Sequence, residues 1–82
     1  MTEDEARRQA ALTLYTIYAN PRDFPGYYVV RAHDVLRTGG TQARRDFRLA
    51  DSLEAARRHI PPGLYNIGRE PGDDHTIVET WI

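Results

Sequence analysis

The apolar residues of this chain gather in four segments, and residues that favour turns separate them. The segments are residues 12–18, 27–33, 64–67 and 75–82, and the second can continue to Leu36. They are rich in β-branched and aromatic side chains, which pack well on the pleated surface of a sheet. We therefore predict a small, mostly antiparallel, four-stranded sheet in which a hairpin joins the first two strands.

One main helix is predicted between the second and third strands. Residues 51–54 read Asp-Ser-Leu-Glu, a capping box, and Leu53, Ala56 and Ile60 then form one apolar stripe before a Pro-Pro-Gly stop. Residues 46–50 are interpreted as a connecting segment that is partly extended. A second capping box at residues 2–5 precedes a stretch whose apolar residues are only alanines, so residues 1–11 form either a short helix or a frayed terminus.

These elements predict an α+β fold with the order (α)ββαββ, in which the main helix packs on one face of the sheet. At 82 residues the chain has room for a single domain, residues 1–82, with one core. A repeated Pro-Gly-x-Tyr pattern precedes Val30 and Ile67. If the repeat fixes the side-chain phase, Tyr28, Val30, Tyr65 and Ile67 face the helix, and Tyr27, Val29, Arg31 and His33 lie opposite. The alternative is that Pro-Gly only starts a strand.

The second face of the sheet is the main functional hint. Strands one and four are apolar in both phases, and a sheet that is apolar on both faces needs two covers. The sequence predicts one good helix, which can cover only one face of the sheet. Another molecule is therefore a candidate to cover the second face. The candidate interaction surface is Tyr27, Val29, Arg31 and Trp81, and the partner is a second copy or another protein. The alternative is that this face is ordinary surface, because single exposed aromatic and aliphatic side chains are common.

Composition narrows the compartment and the chemistry. Cysteine is absent, which excludes disulfides and thiolate metal sites, and no apolar run reaches the length of a membrane span. We expect a cytoplasmic protein that binds no membrane. A formal net charge of −1 provides no overall field that attracts nucleic acid.

No group of residues predicts catalysis. His33 and His75 each adjoin aspartate but match no metal or acid-base motif, and Ser52, the one serine, fits a helix cap. The Gly39-Gly40 pair lacks the pattern of a phosphate loop. The expectation is a protein that is not an enzyme, with no catalytic residues, no cofactor and no metal.

The alternative function is nucleic-acid binding. Residues 37–48 contain four arginines and one acid, Asp46, close to the aromatic pair Tyr27-Tyr28. Clustered arginines hold phosphates, and an exposed tyrosine can stack on a base. The candidate contacts are Arg37, Arg44, Arg45 and Arg48.

Two segments carry a resemblance. Residues 20–31 read Asn-Pro-Arg-Asp-Phe-Pro-Gly-Tyr-Tyr-Val-Val-Arg, and residues 53–65 run from Leu-Glu-Ala-Ala-Arg to Pro-Pro-Gly-Leu-Tyr. With these segments the chain resembles a family of small, uncharacterised bacterial proteins over roughly residues 12–82. The resemblance implies a compact domain and brings no activity, cofactor or site residue. The apolar residues in both phases of strands one and four, together with the single good helix, make the leading hypothesis a non-enzymatic interaction module that self-associates through the uncovered sheet face or an edge strand.

Overall fold

The structure, a computed structural model, describes residues 2–82. Its elements, in chain order, are α1 (Glu3–Gln9), β1 (Ala10–Ala19), β2 (Tyr28–Leu36), β3 (Thr41–Ala50), α2 (Leu53–Arg57), β4 (Asn66–Gly68) and β5 (Ile77–Trp81). The α+β class and the β1–β2 hairpin are confirmed. The N-terminal segment is a helix that leads directly into β1.

The sheet has five strands in the order β3-β2-β1-β5-β4, and each neighbouring pair is antiparallel. The prediction of four strands was wrong because it treated β3 as a connecting segment. β3 is an edge strand that pairs only with β2, so most of its side chains are exposed and four of its ten residues are charged. Its apolar alternation is short and is interrupted by a register shift between Arg31 and His33 of β2.

The core lies between α2 and one face of the sheet. Ile17 of β1 stands opposite Val30 of β2, and both are almost fully buried. Ala50 and Ala56 complete this cluster, and partly buried neighbours pack around it: Tyr15, Tyr28, Leu53, Ala55, Ile60 and Trp81. The predicted helix stripe of Leu53, Ala56 and Ile60 is therefore the one that contacts the sheet. We call this side of the sheet the helix face.

Both helix starts follow from their capping residues. The Thr2 hydroxyl accepts a hydrogen bond from the Glu5 amide at 3.2 Å, and the Ser52 hydroxyl accepts one from the Ala55 amide at 3.1 Å. Each bond satisfies an amide that has no partner within its own helix. α2 ends at Arg57, and turn structure carries the apolar stripe on to Ile60.

One predicted side-chain phase is wrong. Tyr28 and Val30 face the helix, whereas Tyr65 and Ile67 are 77% and 52% exposed. Asn66 pairs with Trp81 on the helix face, so Ile67, one residue later, points to the opposite side. β4 has only three residues and lies at the sheet edge, and α2 packs over β2 and β3 instead. The Pro-Gly pattern therefore marks entry into a strand without fixing its phase.

Candidate functional site

The face of the sheet opposite α2 is the candidate site, and we call it the open face. Side chains directly opposite each other in an antiparallel pair share a face, so the register defines its members. The pairs Leu14–His33, Thr16–Arg31 and Tyr18–Val29 join β1 to β2 there. Across the neighbouring strands the open face continues through Phe47, Leu49, Ile67, Ile77 and Thr80.

A shallow groove crosses this face. It has a volume of about 270 Å³, and its apolar walls include Leu14, Ile67 and Ile77. Glu70 and Asp73, from the loop between β4 and β5, place carboxylates along one side of it. Ile67 is half exposed within the groove, as is Leu49 on β3 elsewhere on the face, at 42%. The groove thus combines an apolar floor with an acidic rim.

The loop between β1 and β2 folds over one end of the open face. Its Phe24 ring packs on Phe47 of β3, with centroids 5.1 Å apart, and Val29 is only 6% exposed. Asn20 holds the loop closed, because its side-chain oxygen accepts a hydrogen bond from the Gly26 amide at 2.7 Å. Asn20 adopts a positive φ of 51°, a conformation that asparagine tolerates better than most residues. The loop is therefore a structured wall of the site.

Tyr18 and His33 form a hydrogen-bonded pair between this loop and the groove, and Arg31 lies nearby on the same face. The Tyr18 hydroxyl lies 3.2 Å from Nε2 of His33, within hydrogen-bond distance. Burial lowers the pKa of His33, and the positive charge of Arg31 lowers it further, which favours the neutral ring at pH 7. Burial raises the pKa of Tyr18, and Arg31 opposes that rise. Both effects indicate that the charge of Arg31 acts on this side of the sheet.

The helix face contains two buried carboxylates whose burial was not predicted from the sequence. Asp34 is 1% exposed and accepts hydrogen bonds from Thr13 at 2.8 Å and from Arg44 at 2.9 and 3.0 Å. The bonds from Arg44 are the main cause that holds the pKa of Asp34 below its usual value. The available signal was the position itself, an acid inside an otherwise apolar strand, because such an acid needs partners when it is buried.

Glu79 is the second buried carboxylate, and it joins three elements. It accepts two hydrogen bonds from Arg57 of α2, both at 2.8 Å, one from Asn66 of β4 at 2.9 Å and one from the Trp81 ring at 3.1 Å. The bonds from Arg57 are the largest cause of the lowered pKa of Glu79. Asp34 therefore links β1, β2 and β3, and Glu79 links α2, β4 and β5.

The four residues of the candidate interaction surface occupy different places. Val29 and Arg31 lie on the open face, and Tyr27 is 48% exposed just before β2 begins. Trp81 lies on the helix face, where it pairs with Tyr15 and packs against the core. A register shift in β5 at Val78, between the partners of Ile17 and Tyr18, makes this phase hard to predict from alternation.

The four candidate nucleic-acid contacts are also separated. Arg44 is held in the ion pair with Asp34, and Arg48 stands opposite Val30 on the helix side of β3. Arg37 is exposed in the turn after β2, and Arg45 is exposed on β3, where its backbone amide donates to Glu3. One of the four guanidinium groups is therefore already neutralised.

The histidines that adjoin aspartate also differ in their surroundings. His33 bonds with Tyr18, whereas His75 has a 94% exposed side chain beside Asp74. Between residues 2 and 82, no cluster of three or more Asp, Glu, His or Cys side chains is arranged so that it could hold a metal ion.

Within residues 2–82, neither helix is long and apolar enough to cross a bilayer.

Comparisons of the chain with protein-family models, with curated proteins and with solved structures gave no significant match.

Proposed function

We propose that this chain is a non-enzymatic module that self-associates through its open face. The observation that carries the proposal is the exposure of Leu49 and Ile67, at 42% and 52%, on a face that also presents Leu14 and Ile77. Removing such side chains from water stabilises an association by about 25 cal/mol for each Å² of apolar surface buried. A second copy of the same face supplies the apolar surface that α2 does not.

The charges of the open face favour a second copy as the partner. Arg31 lies on β2, in one half of the sheet, whereas Glu70 and Asp73 border the half formed by β4 and β5. A two-fold axis along the central strand β1 would set the β2–β3 half of one copy over the β5–β4 half of the other. The basic side chain of each copy then faces the acidic rim of its partner. Such complementarity fixes the register of an association and suppresses wrong partners.

The size of the face sets the expected affinity. Five strands spaced about 4.8 Å apart and about seven residues long give a flat area of roughly 500 Å² per copy. Standard stable interfaces bury about 800 Å² per partner, and weaker transient ones bury less. We therefore expect a reversible dimer with a dissociation constant on the order of 10–100 μM rather than an obligate one.

Association through a strand edge has less support. β4 offers only three residues at one edge. β3, at the other edge, carries a register shift and the charged residues Arg45 and Asp46. Bulges, short strands and charged side chains are the features by which natural sheets prevent edge pairing.

Nucleic-acid binding also has less support than self-association, because the guanidinium of Arg44 is engaged by Asp34.

Sedimentation equilibrium over a range of concentrations tests the proposal. We expect Leu49→Arg and Ile67→Arg each to weaken the dimer at least tenfold, because each buries a charge in the apolar contact. Glu54→Arg introduces the same side chain on exposed α2, so its dissociation constant should stay within about twofold of the original. A chain that remains monomeric at about 500 μM would refute the proposal, as would equal effects of all three substitutions.

A further inference from the structure

The loop end of the open face holds a pocket beside Arg31. It has a volume of about 210 Å³ and lies between the β1–β2 loop and the sheet. Phe24 and Pro21 contribute the loop wall, while Tyr18, Val29 and Arg31 contribute the sheet wall. Because Asn20 and the Phe24–Phe47 contact hold the loop in place, the pocket is formed before any ligand arrives.

The guanidinium of Arg31 is the charged group of the sheet wall, and one of its nitrogens is unpaired. Its Nε is buried and has no hydrogen-bond partner. Among residues 2–82, Arg7, Arg44 and Arg57 form ion pairs, whereas Arg31 forms none. Its Cζ lies 5.3 Å from the centre of the Phe47 ring, within the range of a cation–π contact. Because Nε itself is buried, an anion in the pocket would reach the guanidinium through its terminal nitrogens, and its charge would offset the cost of the buried part of the group.

We infer that this pocket binds a small monocarboxylate whose body is apolar or aromatic. A carboxylate matches the planar fork of a guanidinium through two parallel hydrogen bonds. When the Nε2–H tautomer of His33 donates to the Tyr18 oxygen, the Tyr18 hydroxyl proton is free to be a second donor to the ligand. Phe24, Pro21 and Val29 provide the apolar walls for the body of the ligand. The volume suits a single ring with a short acidic group.

The charge of the pocket selects a monoanion. Asp23 is exposed and also lines the pocket, and its negative charge opposes a second charge on the ligand. Asp73 and Asp74 act on Tyr18 from the loop between β4 and β5 and oppose it further. A phosphate ester, which is close to dianionic at pH 7, is therefore a poorer ligand than a carboxylate. The same carboxylate chemistry can come from a free molecule or from an acidic side chain of a second copy.

Nuclear magnetic resonance titration with benzoate tests the site. The Ile67→Arg variant is used at a protein concentration well below its own dimer dissociation constant, so that it is monomeric. We expect saturable shifts of the backbone amides of Tyr18, Phe24 and Arg31, with a benzoate dissociation constant on the order of millimolar. Benzamide has the same shape without the charge, so it should bind at least tenfold more weakly. Equal binding of benzoate and benzamide would overturn the inference.

Two substitutions at the pocket and one control complete the test. Arg31→Gln should weaken benzoate at least tenfold, and Arg31→Lys should weaken it less, because lysine keeps the charge but loses the fork. Arg22→Gln removes an exposed arginine of the same loop and should change the dissociation constant less than twofold. A dispersed spectrum for each variant verifies folding. Unchanged benzoate binding in folded Arg31→Gln and Arg31→Lys would overturn the inference.

The source of the carboxylate is resolved with the unsubstituted chain. If benzoate dissociates the dimer in sedimentation experiments, the natural occupant is a carboxylate of the second copy. If benzoate binds while the dimer mass is unchanged, the occupant is a free small molecule. The monomer titration decides the carboxylate site, and the dimer measurement without benzoate decides self-association, so failure of either proposal is separately visible.

Discussion

Replacement of Asp34 by asparagine is the sharpest test of how this fold is held together. The Asp34 side chain is 1% exposed and pairs with Arg44, whose side chain is 21% exposed. Removing one partner of a buried ion pair costs about 3–5 kcal/mol when the other charge stays buried. Arg44 can turn partly toward water, and asparagine keeps one acceptor oxygen for Thr13 or Arg44. We therefore expect Asp34→Asn to lower the free energy of unfolding by about 2 kcal/mol.

The measurement is chemical denaturation followed by the fluorescence of Trp81 and by circular dichroism. A loss of about 2 kcal/mol corresponds to a fall in melting temperature of roughly 8–16 °C for a domain of this size. Asp46→Asn is the matched control, because Asp46 also meets an arginine, Arg7, but at 3.4 Å and with a 68% exposed side chain. Exposed pairs contribute about 0–1 kcal/mol, so this control should change stability very little.

A double-mutant cycle separates the pair from other effects of the substitution. Arg44→Gln alone leaves Asp34 buried without its main partner and should be at least as destabilising as Asp34→Asn. In the double variant the two losses should overlap, with a coupling of about 1 kcal/mol or more. Strictly additive losses, or equal losses for Asp34→Asn and Asp46→Asn, would show that the buried pair is not what stabilises this end of the sheet.

Two further predictions concern acid and helix capping. Because their arginine partners hold the pKa values of Asp34 and Glu79 below the ordinary 3.8 and 4.5, both stabilise the fold at neutral pH, and that stability is lost as the pH falls through the folded values. Denaturation at a series of pH values should show a decline below about pH 4.5 that is smaller in Asp34→Asn, and an equal decline in both proteins would contradict this. Ser52→Ala removes the acceptor for the Ala55 amide and should cost about 1 kcal/mol in the same assay, while a change below about 0.3 kcal/mol would mean that the cap is not needed.

Local signals in the sequence are sufficient for much of this fold. β1 and β2 are rich in β-branched and aromatic residues, so both could be predicted as strands without knowledge of their distant contacts. The caps Thr2 and Ser52 act within three residues of themselves, which makes both helix starts predictable from a short window. The apolar stripe of α2 likewise follows from spacing alone.

Features that depend on distant partners were not predictable in the same way. β3 is an edge strand whose helix-side positions hold Arg44, Asp46 and Arg48, and only pairing with β2 makes it extended. The phase of Ile67 depends on its pairing with β5 rather than on the residues that precede it. Propensity describes a short segment, whereas tertiary pairing can override it.

The candidate site illustrates the same limit. Arg31 and His33 were expected opposite the helix from alternation along β2, and they lie on the open face. The position of Phe24 over Phe47 could not be anticipated, because it depends on how the β1–β2 loop folds back onto a strand that was itself not predicted. The pocket beside Arg31 therefore becomes visible only when the loop and β3 are both in place.

The two faces of the sheet differ in whether their buried polar atoms have hydrogen-bond partners. On the helix face, Asp34 and Glu79 each receive several hydrogen bonds, so their burial is fully compensated. On the open face, Arg31 keeps a buried nitrogen without a partner, beside exposed apolar side chains such as Leu49. The buried Nε of Arg31 and the exposed apolar side chains lie on the same face, and together they support the proposal that a partner occupies it.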